Sequence, residues 1–576
     1  MSRRLYFLST AAVLLTALVV YLAGNGSIGL WDRDEPRYAQ ASREMVQNSE
    51  WVMPTFLGEP RVNKPILIYW LQKLSMQYFG ETVYAARFPS AVAMVGTLAM
   101  LAAVLPRIVG RRRAFWSVFV LATSAMVIAS AKMCVTDAVL LLWITIAQLC
   151  VYSLWRGRGT AFQSWQVVVV LGAAVGLAML TKGPVVLGII GATIIALLVM
   201  QWITPGRSSK VLMTSDNEQR FLVVAGKWIA VLAIIAAVCL PWLSAIEQRQ
   251  PGWLVRTISG EIIERGKSGM EGHHGWIGYY LTLIWATFFP WSLFLIAAVV
   301  HGFKRRTHPF TRFALAAIIG PYVMLEIYAT KLPHYLLPAY PFLAFLVANV
   351  ISLGRRKLIS DLSDRPFVIA ASIVAGAITI LSLLLPIVPA MSDGESARHY
   401  FAMFALGSFI IGSVWYVVFK LSENRIVLAS ATMGIAMFLG VIILSVLYLP
   451  TTNFLRVSQR VAQILHNDGA DERAKAGQVI MLEYKEPSLG FYQGGTIREQ
   501  THTDFLSITP PHRWPKWIVS ETNVWSKQPE QIKQQFISIG RVRGLNVAEG
   551  RADVTVLRRL PTSEATIRID GPISSD

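Results

Sequence analysis

Cysteine is nearly absent from this 576-residue chain, and charge is scarce. The three cysteines, Cys134, Cys150 and Cys239, all lie in apolar surroundings and none has a partner at CxxC spacing. That excludes a disulfide framework and a cysteine-based zinc site. Charged residues make up 15% of the chain, against roughly a quarter in an ordinary soluble domain. A soluble enzyme and a disordered chain are both excluded by this shortage. There is also no solenoid-length repeat and no Gly-rich loop ending in Lys-Ser or Lys-Thr, so repeat architectures and P-loop chemistry drop out.

What is present is long apolar runs and an excess of basic over acidic residues. The mean hydropathy is +0.49, and the apolar residues are grouped in runs of the length that spans a bilayer. After a basic start at Arg3 and Arg4, residues 5–23 read as a retained first helix rather than a cleaved signal peptide. Further runs are expected to span at 88–106, 114–131, 135–154, 165–180, 184–203, 228–245, 276–300, 313–327, 335–353, 367–389, 401–419 and 426–449. The expectation is a polytopic α-helical membrane protein with about 13 spans over residues 1–450. It includes a long polar first loop at 25–87, and a soluble α/β domain follows at 451–576. In that last part, 478–482, 517–520 and 554–557 read as strands between turn residues.

The formal net charge of +19 would suggest nucleic acid in a soluble protein, but here it serves another purpose. With a cytoplasmic N-terminus, every loop expected inside is basic: Arg107 with Arg111 to Arg113, Arg156 with Arg158, Lys210 with Arg220 and Lys227, Lys304 to Arg306, Arg355 to Lys357, and Lys420 with Arg425. This is the positive-inside pattern. It places the C-terminus and the first loop on the outer, periplasmic side of an inner membrane.

Ionisable residues beside a span are costly and are usually kept for function. On this topology they collect on the outer face. Asp32, Asp34, Glu35 and Arg37 follow the first span, and Lys64 lies in the same loop. Asp137 opens the fourth span, Lys182 occupies the next outer turn, and Arg265, His273 and His274 lie in the outer loop after the seventh. Lys331, His334 and Tyr335 fill the connection before the tenth, and Glu326 lies one turn inside the ninth. Each also has a structural explanation. The acids of 32–35 suit a helix start, Lys64 suits an interfacial snorkelling lysine, Lys182-Gly183-Pro184 suits a tight turn, and Asp137 suits a helix cap. Asp32 and Asp34 form a DxD spacing that elsewhere holds a divalent ion. His273 and His274 are candidate metal ligands, although adjacent histidines rarely point at one ion. A divalent metal is possible on these residues but not required.

The segment Trp31-Asp32-Arg33-Asp34-Glu35-Pro36-Arg37-Tyr38-Ala39 resembles the first outer loop of the GT-C membrane glycosyltransferases. It is most similar to the bacterial lipid A 4-amino-4-deoxy-L-arabinose transferases and the related protein O-mannosyltransferase-like family. Asn63-Lys64-Pro65 with Tyr69-Trp70, Arg87-Phe88-Pro89-Ser90, Asp137, Lys182-Gly183-Pro184, the run from Lys331 to Pro338, and Glu486-Pro487-Ser488 resemble further family segments in the same order. The resemblance implies a GT-C fold and an undecaprenyl-phosphate sugar as donor. It implies inverting transfer at the periplasmic face to lipid A or another envelope acceptor. It also implies that Asp34 is the catalytic carboxylate, with Glu35 and Asp137 as further acidic site residues. Lys64 and Tyr335 would contact the lipid phosphate, with Arg37, Lys182, Arg265, Lys331 and His334 as further binding residues. Asn63 stands where the family often has Glu, which weakens metal ligation through that position. Transfer to protein hydroxyls is the alternative within this class. A transporter or flippase is the alternative from another class, but it would be expected to show two related halves.

Overall fold

The computed structural model describes all residues except 32–33, 158–160, 205–217, 260–274, 354–363, 388–396, 472, 547–549 and 562–576. Asp32, Arg265, His273 and His274 fall outside the described residues. The chain forms a helical membrane part followed by a sheet domain.

The membrane part begins with α1 (Arg3–Leu22), whose Ser2 cap accepts from the Leu5 amide at 3.2 Å. The first loop contains α2 (Asp34–Gln47), a short hairpin of β1 (Thr55–Phe56) and β2 (Glu59–Pro60), and α3 (Leu67–Phe79). Next come α4 (Val83–Val109), α5 (Arg111–Ala122), α6 (Ala125–Ala131), α7 (Asp137–Arg156), α8 (Ala161–Lys182), α9 (Val185–Ile203) and α10 (Glu218–Arg249). They are followed by α11 (Tyr279–Thr287), a helix at Leu295–Lys304, α12 (Pro309–Ile327) and α13 (Tyr340–Leu353). Helices at Asp364–Leu383, Ala397–Ser422 and Ile426–Ile442 complete the membrane part.

Among the described residues, 10 helices are long and apolar enough to span, or 11 if the bent pair α5–α6 counts as one. Two of the thirteen expected runs are broken. The run at 114–131 bends by 64° between α5 and α6. There the Thr123 and Ser124 hydroxyls donate back to the carbonyls of Phe119 and Val120 at 2.6 and 2.7 Å, a pattern that bends helices. The run at 276–300 breaks at Pro290, which has no N–H to continue a helix, into α11 and the helix at Leu295–Lys304. The run at 367–389 forms the helix Asp364–Leu383.

Small residues let the membrane helices approach. Gly172 and Gly176, spaced as GxxxG on α8, face Ile234 and Val238 of α10. Gly320 of α12 lies so close to α9 that a Cβ there would be 2.3 Å from the Ala192 carbonyl oxygen.

After residue 456 comes a mixed five-stranded sheet of β3 (Val479–Leu482), β4 (Arg498–Gln500), β5 (Trp517–Glu521), β6 (Phe536–Asn546) and β7 (Gly550–Arg559), in spatial order β4-β3-β5-β7-β6. The first three in that order are parallel, and β7 and β6 are antiparallel. All three strands expected from sequence are present. The apolar face of α14 (Val457–Asn467) covers the sheet, with Val461 and Leu465 against Val479, Met481 and Val519. Leu57 of the first-loop hairpin joins the same core.

Candidate active site

The first loop lies over one end of the bundle because several polar contacts hold it there. The Trp242 and Trp253 indoles donate to the carbonyls of Val52 and Val62, each at 2.9 Å, and the Gln72 amide donates to Cys134 O at 2.9 Å. From the other side the sheet domain holds it: Phe491 O accepts from Arg43 at 2.8 Å, and the Tyr492 hydroxyl accepts from the Leu30 amide at 2.8 Å. The end of α1, the starts of α4, α7, α9 and α13, and the ends of α8 and α12 therefore share the face that carries the sheet domain.

Five of the expected residues meet at this face. Lys64, Asp137, Lys182, His334 and Tyr335 line one cavity of about 260 Å³. Asp137 Oδ1 accepts from Lys182 Nζ at 2.6 Å, and Asp137 Oδ2 lies 3.6 Å from His334 Nε2. Lys182 Nζ is 4.7 Å from the centre of the Tyr335 ring. The turn between α8 and α9 makes this possible. Gly183 has φ +78°, which glycine adopts without strain, and it brings the turn against Pro65. Away from the polar end the cavity wall is apolar, formed by Leu140, Val185, Ile189, Met324, Leu325 and Leu337.

Asp34 is beside this cavity rather than in its lining. Its side chain is 52% exposed, and Oδ1 lies 3.9 Å from both Arg37 Nη1 and Arg61 Nη2. Asp34 also acts electrostatically on Lys182, which ties it to the same cluster. Behind it are Tyr38 and Tyr69, with ring centres 5.4 Å apart. Burial pushes both phenols above their ordinary range, so both remain protonated donors near neutral pH.

Two other expected residues have structural partners instead. Glu35 is fully buried, and its two oxygens accept from Arg87 Nε and Nη2 (both 2.7 Å), the Trp31 amide (2.5 Å) and the Cys134 amide (2.9 Å). Arg87 also donates to the carbonyls of Asn25, Ile28 and Gly29. The Glu35–Arg87 pair thus fixes the start of the first loop, with no carboxylate oxygen left for substrate. Lys331 Nζ donates to Glu326 Oε2 at 2.6 Å and to Trp276 O at 3.0 Å. Glu326 accepts in turn from the amides of Gly278 and Tyr280. The pair joins the end of α12 to the start of α11, and Lys331 does not line the cavity.

Arg61, Tyr38 and Tyr69 were not singled out from the sequence as site residues. The available signal for Arg61 was a charge between Pro60 and Val62, three residues before Lys64. Among the described residues no three His, Cys, Asp or Glu side chains are arranged to hold a metal ion. Both oxygens of Asp137 already face partners, Lys182 and His334, and Asn63 offers no carboxylate.

Comparison with known proteins agrees with this architecture. The dolichyl-phosphate-mannose-protein mannosyltransferase family matches residues 6–255. The undecaprenyl phosphate-alpha-4-amino-4-deoxy-L-arabinose arabinosyl transferase of Yersinia enterocolitica is 31% identical over 346 residues, 59% of either chain. A second such transferase from Proteus mirabilis is 28% identical over 443 residues, covering 74% of this chain and 75% of its own. The match thus spans little more than half the length of the Yersinia relative. The crystal structure of ArnT from Cupriavidus metallidurans bound to undecaprenyl phosphate superposes with a TM-score of 0.71 at 19% identity, covering 96% of this chain and 98% of that one. Its apo form gives 0.70. The chain is a multi-pass membrane protein with the GT-C fold, and it resembles the undecaprenyl-phosphate aminoarabinose transferases in sequence.

Proposed function

We propose that the chain is a glycosyltransferase that moves a sugar from undecaprenyl phosphate to an acceptor on the periplasmic side of the inner membrane, with lipid A as that acceptor. The observation that carries this reading is the two-sided cavity. Lys64 and Lys182 bring positive charge to its polar end beside Tyr335, and aliphatic side chains wall the rest. A lipid phosphate needs both at once: cations for the phosphate and an apolar channel for the chain attached to it. The names of the relatives supply the sugar, 4-amino-4-deoxy-L-arabinose, and the bound lipid of the ArnT crystal structure supplies the carrier. The basic loops on the opposite face support the orientation.

In the reaction an acceptor oxygen attacks the anomeric carbon. The bond from that carbon to the phosphate oxygen breaks, and its electron pair stays on the leaving phosphate. Attack from the face opposite the leaving group inverts the anomeric centre. Lys64 and Lys182 lie where this negative charge develops, and preset charges of that kind are commonly the largest single contribution to a rate. Asp137 is a positioning residue, because its two oxygens hold Lys182 and His334 in place. Asp34 is the exposed carboxylate, free to face the sugar. It removes the proton from a hydroxyl acceptor. With a phosphate acceptor, which is already ionised, it steadies positive charge on the sugar ring. Arg37 orients Asp34 from one turn away.

The test is transfer in liposomes. Protein reconstituted with radiolabelled undecaprenyl-phosphate aminoarabinose and lipid A should move label to lipid A and release undecaprenyl phosphate in equal amount. No label transfer with lipid A would overturn the acceptor assignment. Full turnover by both Asp34→Asn and Lys64→Ala would overturn the site. The mannosyltransferase family match over residues 6–255 favours one second reading, transfer to protein hydroxyls. The same assay with a Ser/Thr-rich peptide in place of lipid A decides it.

A further inference from the structure

Three residues before Lys64 stands a cation with no role in the steps above. The Arg61 side chain is 12% exposed. Its backbone is fixed on both sides: the Arg61 amide donates to Pro54 O at 2.8 Å, and the next residue, Val62, accepts from the Trp253 indole. The guanidinium carbon lies 5.5 Å from the centre of the Tyr38 ring, and the group interacts electrostatically with Tyr69.

Placing a guanidinium there is costly unless close hydrogen bonds compensate for its lost hydration. Among the described residues little of that compensation is supplied. The carboxylate beside it among those residues is Asp34, which is 3.9 Å away and half-exposed, beyond hydrogen-bonding distance. Arg61 and the fully buried Tyr69 interact with each other, but among the described residues neither Arg61 Nε nor the Tyr69 hydroxyl has a hydrogen-bond partner of good geometry. Buried donors are nearly always satisfied. Two such donors side by side, next to the one half-exposed site carboxylate, form a polar surface that fits a ligand rich in oxygen acceptors.

The position decides which part of the ligand this is. On the donor reading above, which this inference rests on, Lys64 and Lys182 take the phosphate at the mouth of the apolar channel. The sugar is bonded to that phosphate, and its anomeric carbon must face Asp34. Arg61 and Tyr69 are not in the lining of the apolar cavity, and Arg61 borders Asp34, so these groups are placed to face the sugar rather than the lipid chain. A guanidinium presents a rigid fork of donors and a protonated phenol adds one more, the set that reads ring hydroxyl oxygens. We propose that Arg61 and Tyr69 form, with Asp34, a subsite that binds the sugar of the donor.

The experiment compares two lipids on the full-length protein in nanodiscs: undecaprenyl phosphate, and the same lipid carrying 4-amino-4-deoxy-L-arabinose. Arg61→Gln should raise the KM of the sugar-bearing donor about tenfold or more, as expected for lost hydrogen bonds to a charged group. Affinity for bare undecaprenyl phosphate should stay within about twofold of the unmodified protein. Arg61→Lys should recover only part of the loss, because an ammonium lacks the fork. Tyr69→Phe keeps the ring packing and should raise the same KM by several-fold. Equal weakening of both lipids would make Arg61 a phosphate contact and overturn the proposal. A fall in kcat with KM unchanged in both Arg61→Gln and Tyr69→Phe would also overturn it, since Arg61 would then only position Asp34. If the unmodified protein binds neither lipid, the donor reading itself fails, an outcome distinct from the other two.

Discussion

Asp34 and Glu35 are neighbours on α2, yet one helix position separates a half-exposed carboxylate from a fully buried one. Removing the charge of Glu35 leaves Arg87 buried without its counter-ion, a loss of roughly 3 kcal/mol or more. Removing the charge of Asp34 disturbs only loose contacts at 3.9 Å. Glu35→Gln should therefore lower the thermal unfolding temperature in detergent while the surviving folded protein turns over normally. Asp34→Asn should leave unfolding unchanged and reduce turnover by about a hundredfold, a common loss when a general base is removed. Both quantities can be measured on one preparation of each variant, and exchanged phenotypes would reverse the assignment. The sequence made the pair visible but not the division of labour within it. The partners of Glu35 lie at residues 87 and 134, and no local spacing announces a contact over that distance. Asp137 was easier to notice, because a lone acid between apolar residues at a span end stands out. Lys331 was misleading. Its position in the resemblance suggested a substrate contact, but it lies outside the cavity lining, held by Glu326 five residues earlier.

Among the elements, the spans whose ends carry the cavity were legible from hydropathy, because α7, α8, α9 and α12 are unbroken apolar helices. The broken ones were not. A hydropathy window registers the apolar content of 114–131 and 276–300, but it does not detect the hydroxyl back-bonding at Thr123 and Ser124 or the missing amide of Pro290. Close helix approach is similarly invisible until the backbones are placed. The contact between α9 and α12 depends on Gly320, where an added Cβ would meet the Ala192 carbonyl oxygen at 2.3 Å and its carbon at 2.5 Å. Neither atom can move without shifting α9. Gly320→Ala should therefore destabilise by about 1–3 kcal/mol, the usual range for overpacking. Gly412, in the helix Ala397–Ser422, has nothing within 4 Å of its would-be Cβ. Gly412→Ala should be neutral or slightly stabilising, since alanine favours a helix over glycine by about 1 kcal/mol. Thermal unfolding of the two variants side by side tests the contact, and an unchanged Gly320→Ala variant would mean that α9 and α12 are further apart.

For the whole molecule, the breaks leave the parity of crossings intact. The pair α5–α6 starts at Arg111 on the basic face and ends at Lys132, whose ammonium group donates to Val20 O and Ala23 O at the far end of α1. Beyond the Pro290 break the chain also crosses: Gly278 donates to Glu326 at one end of α12, and Arg306 O accepts from Arg312 near the other. The described basic residues Arg107, Arg111 to Arg113, Arg156, Lys304 to Arg306, Lys420 and Arg425 consequently stay on one side, and the sheet domain stays with the cavity on the other. That is also why the net charge of +19 says nothing about nucleic acid: the segment after residue 450 carries nearly equal numbers of acids and bases, so the excess belongs to the membrane part. A basic loop resists translocation, so the side that holds Lys304, Arg305 and Arg306 should be cytoplasmic. An alkaline phosphatase reporter, active only in the periplasm, should therefore be silent when inserted after Arg306 and active when fused to the C-terminus. A fluorescent protein that matures only in the cytoplasm should give the opposite pair. A stable C-terminal fusion that fluoresces and lacks phosphatase activity would put the sheet domain, and with it Asp34, Lys64 and the cavity, on the cytoplasmic side, and the periplasmic assignment would fall.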